Sequence, residues 1–203
     1  MGLMAQEMIQ LYDAYMAEEP SPLTDLPIQY ADFAQWQRTF LTKGDVLESQ
    51  KQYWQKQLAG APTILDLPTD KPRPATQQAH GAIEMIVLPP ELVKQLQRFS
   101  QQEGVTLFMT FLATLNVLLY KYTRQSDILV GIPVANRTHV EIERLIGFFV
   151  NTLVMRTDLS VNPCFRDLLI QIRQTALQAF AHQELPFEQV VDALHVERDL
   201  SRS

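Results

Sequence analysis

After residue 83 the apolar residues change their spacing repeatedly along the chain. Residues 83–88, 128–134 and 148–155 read as strands, the last two as continuous apolar runs of the kind seen where a strand is covered on both faces. Between them the spacing is helical. Pro90 opens a helix carrying Leu92, Leu96 and Phe99, with Gly104 as its stop. Thr106 can cap the next helix, whose stripe is Phe108, Phe111, Leu112, Leu115, Leu118, Leu119 and Tyr122. Asn162 and Pro163 supply a cap and a first-turn proline for a third helix with Phe165, Leu168, Leu169, Ile172, Ala176, Ala179 and Phe180 on one face. Pro186 starts a short last helix through Leu194. Strands alternating with helices predict an α/β layered sandwich, and Pro133 limits where the first of the two apolar strands can sit.

Ahead of residue 83 the spacing is helical throughout. Met4, Met8, Leu11, Tyr12 and Tyr15 mark one helix, the aromatics from Tyr30 to Phe40 a second, and residues 45–58 a third that ends at Gly60 and Pro62. Leu67-Pro68-Thr69-Asp70-Lys71-Pro72-Arg73-Pro74 cannot hold a helix, because proline removes donors and restricts its predecessor. It is read as the linker between two lobes, residues 1–73 and 74–203. Met1 and Gly2 lead into the first helix without a cap, so the start of the sequence reads as a cut, and the first helix should show an uncovered apolar stripe.

A chain of 203 residues with 46% hydrophobic and 20% charged residues can bury a substantial core. Its net charge of -6 is spread out, with no basic run to track phosphates, which argues against a nucleic-acid partner. Residues 107–120 are interrupted by Thr110, Thr114 and Asn116 and are too short to span a bilayer, and no secretory signal is seen. Cys164 is the single cysteine, which excludes an internal disulfide and suits a reducing, cytoplasmic setting. With no partner base to activate it, Cys164 reads as a small, partly buried side chain. His80, His139, His182 and His195 form no helical pair, so no metal site is read, and neither nucleotide-binding glycine motifs nor Gly-x-Ser-x-Gly occur.

Four segments carry the reading further. Tyr30-Ala31-Asp32-Phe33-Ala34-Gln35-Trp36 resembles the Tyr-x-Asp-Phe-Ala-x-Trp motif of condensation domains in nonribosomal peptide synthetases. Ile146-Gly147-Phe148-Phe149-Val150-Asn151-Thr152 with Arg156 is similar to their Ile-Gly-x-Phe-Val-Asn-Thr motif and its trailing arginine. His182-Gln183-Glu184-Leu185-Pro186-Phe187-Glu188 resembles His-Gln-Asp-x-Pro-Phe-Glu, with glutamate in place of aspartate. Arg198-Asp199-Leu200-Ser201-Arg202 is similar to the opening of Arg-Asp-x-Ser-Arg-Asn-Pro, from which Ser203 departs. The segments stand in the family's order and are joined by similar text such as Gly131-Ile132-Pro133-Val134-Ala135-Asn136-Arg137. The family's His-His-x-x-x-Asp-Gly motif does not occur in these 203 residues.

The resemblance implies a fold like chloramphenicol acetyltransferase, here an incomplete two-lobe condensation domain, and amide-bond formation between thioesters carried on phosphopantetheine. The implied partners are peptidyl or acyl carrier protein domains, an N-terminal half upstream and an adjacent adenylation domain. Without the histidines of the active-site motif the 203 residues alone should be close to inert, since a positioned general base is worth about 100-fold to 10,000-fold. Asn136, Arg137, Asn151 and Thr152 are the candidates for lining the substrate channel. For Asn151 and Thr152 a purely local role, bonding neighbouring backbone, stands beside that one. Tyr30, Asp32, Phe33, Trp36, Gly147, His182, Pro186, Phe187, Arg198 and Asp199 are read as structural motif residues. Arg156 is read either in a buried ion pair or at an exposed strand end. A non-catalytic docking module and a related acyltransferase or epimerisation domain are the alternatives.

Overall fold

The computed structural model describes residues 2–72, 74 and 81–195. In chain order these form α1 (Gly2–Met16), α2 (Tyr30–Leu41), α3 (Val46–Leu58), α4 (Pro90–Gln102), α5 (Leu107–Thr123), β1 (Asp127–Val134), a 3-10 turn (Val140–Ile142), β2 (Asn151–Asp158), α6 (Phe165–Ala181) and α7 (Phe187–Leu194). Local chemistry sets several of these ends. The Thr106 hydroxyl accepts from Met109 N at 3.2 Å and caps α5. Gly104 at φ 65 takes the left-handed turn between α4 and α5.

β1 and β2 pair antiparallel, from Asp127 opposite Asp158 to Val134 opposite Asn151, without a bulge. Ile128, Leu153, Met155 and Thr157 on one face are buried and share a core with Leu112 and Ala113 of α5 and Leu168, Leu169, Ile172 and Ala176 of α6. The opposite face carries Gly131 and Pro133, which are exposed, so β1 is not covered on both sides as the apolar run suggested. Trp54 and Leu58 of α3 belong to the same core, so α3 packs with the elements that follow residue 81. α1 stands at the edge with only Ala14 buried, and Met8, Tyr12 and Tyr15 are each more than 60% exposed. Among the described residues no single helix is long and apolar enough to cross a membrane.

Four expectations are corrected. Residues 83–88 form no strand; Ile83, Met85, Ile86 and Val87 are at least 80% exposed, because an extended segment becomes a strand only when another strand completes its hydrogen bonds. β2 begins at Asn151, not at Phe148. Its partner strand ends at Val134, and Phe148 O accepts from the Tyr30 hydroxyl instead of a ladder donor. The cap of α6 is Cys164, whereas Asn162 sits at φ 50 in the preceding turn. Cys164 is exposed, and its thiol donates to Asp167 Oδ2 at 3.0 Å.

One polar pair lies inside the core. Asn116 of α5 is fully buried and donates from Nδ2 to Thr157 Oγ1 of β2 at 2.8 Å. Thr157→Val removes the acceptor and leaves a buried amide donor unpaired, so stability should fall by about 1–3 kcal/mol in urea unfolding. The double change Asn116→Leu with Thr157→Val, which removes both partners, should recover most of that loss.

Candidate functional site

Asn151 opens β2 and is 8% exposed. Its Nδ2 donates to Gln183 O at 2.8 Å and to Leu185 O at 2.9 Å. Its Oδ1 accepts from Phe187 N at 3.0 Å and from Thr152 N at 2.9 Å. Every hydrogen-bonding position of the carboxamide is therefore filled by backbone, and none is left for a ligand. The bond to Phe187 N serves the first residue of α7, one of the donors that a helix start leaves orphaned, while Pro186 ahead of it has no N–H to satisfy. Thr152 differs: its side chain is half-buried on the outer face of the sheet, and its hydroxyl makes no hydrogen bond among the described residues.

Residues 135–150 link the strands by a long irregular path, and Arg137 holds that path together. Its guanidinium donates to Ile142 O, to Glu143 O at 3.2 Å and to Leu145 O at 2.9 Å, and lies 4.1 Å from the centroid of Phe149. Arg137 is thus spent on backbone carbonyls rather than presented to a channel. The same loop meets α2. Tyr30 donates from its hydroxyl to Phe148 O at 2.9 Å, and its ring lies against Gly147 so closely that a Cβ there would come within 2.8 Å of Tyr30 Cε2. Glycine at 147 is needed for this approach. Phe33 and Phe149 pack at 4.7 Å between centroids, with Ile142 and Leu145 in the same small cluster. Asp32 Oδ2 accepts from Gln29 N at 2.8 Å and closes the start of α2, and Trp36 packs between Phe40 and His139.

Asn136 is 7% exposed at φ 50, and its Oδ1 has no partner. A buried carbonyl oxygen left unpaired costs about 1–3 kcal/mol, so this acceptor stands apart from the satisfied residues around it.

Arg156 joins three elements. It forms a 2.8 Å ion pair with Asp127 Oδ2 across the strands and donates from Nη1 to Gln57 O and Ala59 O, where α3 ends. Of the two readings of Arg156, the structure contains the ion pair, partly buried. The Asp127 hydrogen bond, opposed by burial, raises the Arg156 pKa above its ordinary value. His182 ends α6; its Nδ1 is 2.8 Å from Gln178 O, its ring stacks on Tyr53 at 3.9 Å, and its carbonyl accepts from Trp54 Nε1 at 3.0 Å. Burial pushes the Tyr53 hydroxyl up to about 12. Tyr53 and Trp54 are missed by motif reading, although a tryptophan in a packed helix signals a required acceptor for its N–H.

Glu184 lies close to Thr138 and His139. Burial raises its carboxyl above the usual range, while His139 and a bond from Thr138 pull it down. Among the described residues no three potential metal ligands converge. Arg198 and Asp199 lie outside the described residues. The structure brings Tyr30, Phe33, Gly147, Asn151, His182 and Phe187 around one framework, and leaves Asn136 Oδ1, the Tyr53 hydroxyl and the Thr152 hydroxyl without hydrogen-bond partners among the described residues.

The family model described as "Condensation domain" matches residues 1–203. A linear gramicidin synthase from Brevibacillus parabrevis is 55% identical over 203 residues, which are 100% of this chain and 3% of that protein. Among solved structures, the X-domain from teicoplanin biosynthesis superposes with a TM-score of 0.88 at 25% identity, over 97% of this chain and 45% of that one. The first condensation domain of the calcium-dependent antibiotic synthetase does so at 0.67 with 18% identity, over 91% and 42%. These likenesses establish the layered α/β fold, of which this chain holds a small, open sheet. The chain spans 3% of the length of the gramicidin synthase it matches.

Asn151→Ala should unfold at a markedly lower urea concentration, with a loss of about 2–4 kcal/mol, because three tertiary backbone groups lose their partner together. Glu184 should make stability fall with rising pH. Its folded pKa is raised, so its contribution is complete below the ordinary glutamate value of about 4.3 and is lost as pH climbs through the raised value. Glu184→Gln should flatten that slope in unfolding midpoints taken across the same pH range.

Proposed function

The chain belongs to the condensation-domain family, and from that premise we propose that it supplies the second wall of a peptide-synthetase condensation site, where an amine on one carrier protein attacks a thioester on another. In that step the nitrogen bonds to the carbonyl carbon, the carbon–sulfur bond breaks, and the nitrogen's proton leaves as the thiol is released. Donor and acceptor arrive on phosphopantetheine arms of peptidyl or acyl carrier domains, with an adenylation domain as neighbour and the cytoplasm as the setting. The reading rests on one observation above the rest: the match runs the whole chain, and Asn151 of one motif segment is bonded to Gln183, Leu185 and Phe187 of another.

The general base belongs to the His-His-x-x-x-Asp-Gly motif, which does not occur in these 203 residues. What this chain contributes is position. The Thr152 hydroxyl, half-buried on the outer face of the sheet, can either donate to or accept from an amide of the arm. We assign residues 1–73 to the close of the first lobe, with α1 its part that stands clear while α2 and α3 cross onto the second lobe, residues 74–203.

A second reading, a non-catalytic docking module, is favoured by the likeness to the teicoplanin X-domain, which has been solved in complex with OxyB. One experiment separates them. The 203-residue chain mixed with loaded donor and acceptor carriers should yield no amide. Addition of an upstream half bearing His-His-x-x-x-Asp-Gly should yield the amide by mass spectrometry. Carrier binding with no product from the complemented pair would favour docking, and amide formation by the 203 residues alone would refute the assignment of the base to the missing motif.

A further inference from the structure

Between α2 and the 3-10 turn lies a cavity of about 300 Å³ that the condensation step does not use. Its buried lining is apolar: Phe33 and Ile142 belong to the small cluster, and Ile28 is half-buried against them. Its exposed lining is Trp36, His139 and two carboxylates, Asp32 and Glu141. The Trp36 indole stacks on Phe40 at 5.2 Å yet stays 37% exposed. Asp32 gives Oδ2 to Gln29 N, which leaves Oδ1 open. Among the described residues neither carboxylate is in an ion pair, and no lysine or arginine lines the cavity.

We propose that this cavity receives an arginine side chain presented by a partner polypeptide. An apolar floor under an acidic, aromatic rim matches that side chain from stem to head. The methylenes bury against Phe33 and Ile142, and the guanidinium reaches the exposed indole and the carboxylates of Asp32 and Glu141. An anion would meet two carboxylates with no cation to offset them. A wholly apolar group would strip those carboxylates of water without replacing its hydrogen bonds. Arginine suits the site better than lysine, because one planar fork serves a carboxylate and an aromatic ring together. The source is a polypeptide, since free arginine would bring a carboxylate for which the rim holds no lysine or arginine. An arginine seated beside a tryptophan is the composition of an interface hot spot. The site does not depend on the condensation reading.

The test is a titration of the isotope-labelled 203-residue chain with Nα-acetyl-L-arginine methylamide, followed by amide and indole shifts at low salt. The matched citrulline and lysine compounds and free L-arginine are run beside it. Saturating shifts are expected at Asp32, Glu141 and the Trp36 indole, and they should weaken as salt is added. The neutral citrulline compound should bind about tenfold more weakly. Glu141→Gln should weaken the arginine compound about threefold, leave the citrulline compound unaffected and keep the melting temperature of the wild type. Shifts absent or confined to other surfaces, equal affinity for arginine and citrulline, or no effect of Glu141→Gln would overturn the proposal. A lysine compound that binds as tightly overturns the choice of arginine, and tighter binding of free L-arginine overturns the polypeptide source.

Discussion

The carboxamide of Asn151 offers two donors and two acceptor positions, and this fold places a backbone partner at each. The partners outside β2 come from the turn between α6 and α7. Leu185 in that turn is 1% exposed, so its carbonyl could not turn to solvent without unpacking the side chain beside it. The start of β2 and the α6–α7 turn are consequently one unit. α3 is added to it through Trp54 Nε1 on His182 O and Gln55 Nε2 on Ala193 O.

The link between the strands poses the same problem over a longer path. An irregular segment leaves carbonyls without ladder partners, and Arg137 gathers those of Ile142, Glu143 and Leu145 on one guanidinium. Once that loop is fixed, Gly147 and Phe149 become a surface on which the Tyr30 ring and Phe33 can rest. Helix α2, 118 residues away in sequence at the Tyr30–Phe148 contact, is thereby positioned by a loop rather than by the sheet. Arg156 does the corresponding task at the far end, tying the carbonyls that end α3 to Asp127.

What could be read from the residues follows from the range of the forces involved. Thr106, Gly104 and Pro90 act within one turn, so the limits of α4 and α5 were legible from local sequence. That residues 83–88 form no strand was not legible, because β structure is a property of a pair and the run of apolar residues names no partner. The start of β2 depended likewise on where β1 stops. Arg156 was undecidable for the same reason: its partner Asp127 lies diagonally across the ladder, and register cannot be read from one strand. For Asn151, residue type alone leaves a ligand role and a backbone role equally open, and the turn at residues 183–187 decides between them.

Most motif residues in this structure are satisfied internally, and that bears on how such a domain works. A condensation site must hold an amine and a thioester in register, and orientation of two reactants can lower a barrier by roughly 7–11 kcal/mol. That effect requires a wall that does not shift by more than about 0.5 Å. Hydrogen bonds filled at both ends, as in Asn151, Arg137 and Arg156, give such rigidity without themselves touching a substrate. The Thr152 hydroxyl, which makes no hydrogen bond among the described residues, stands on a framework that the motifs hold still.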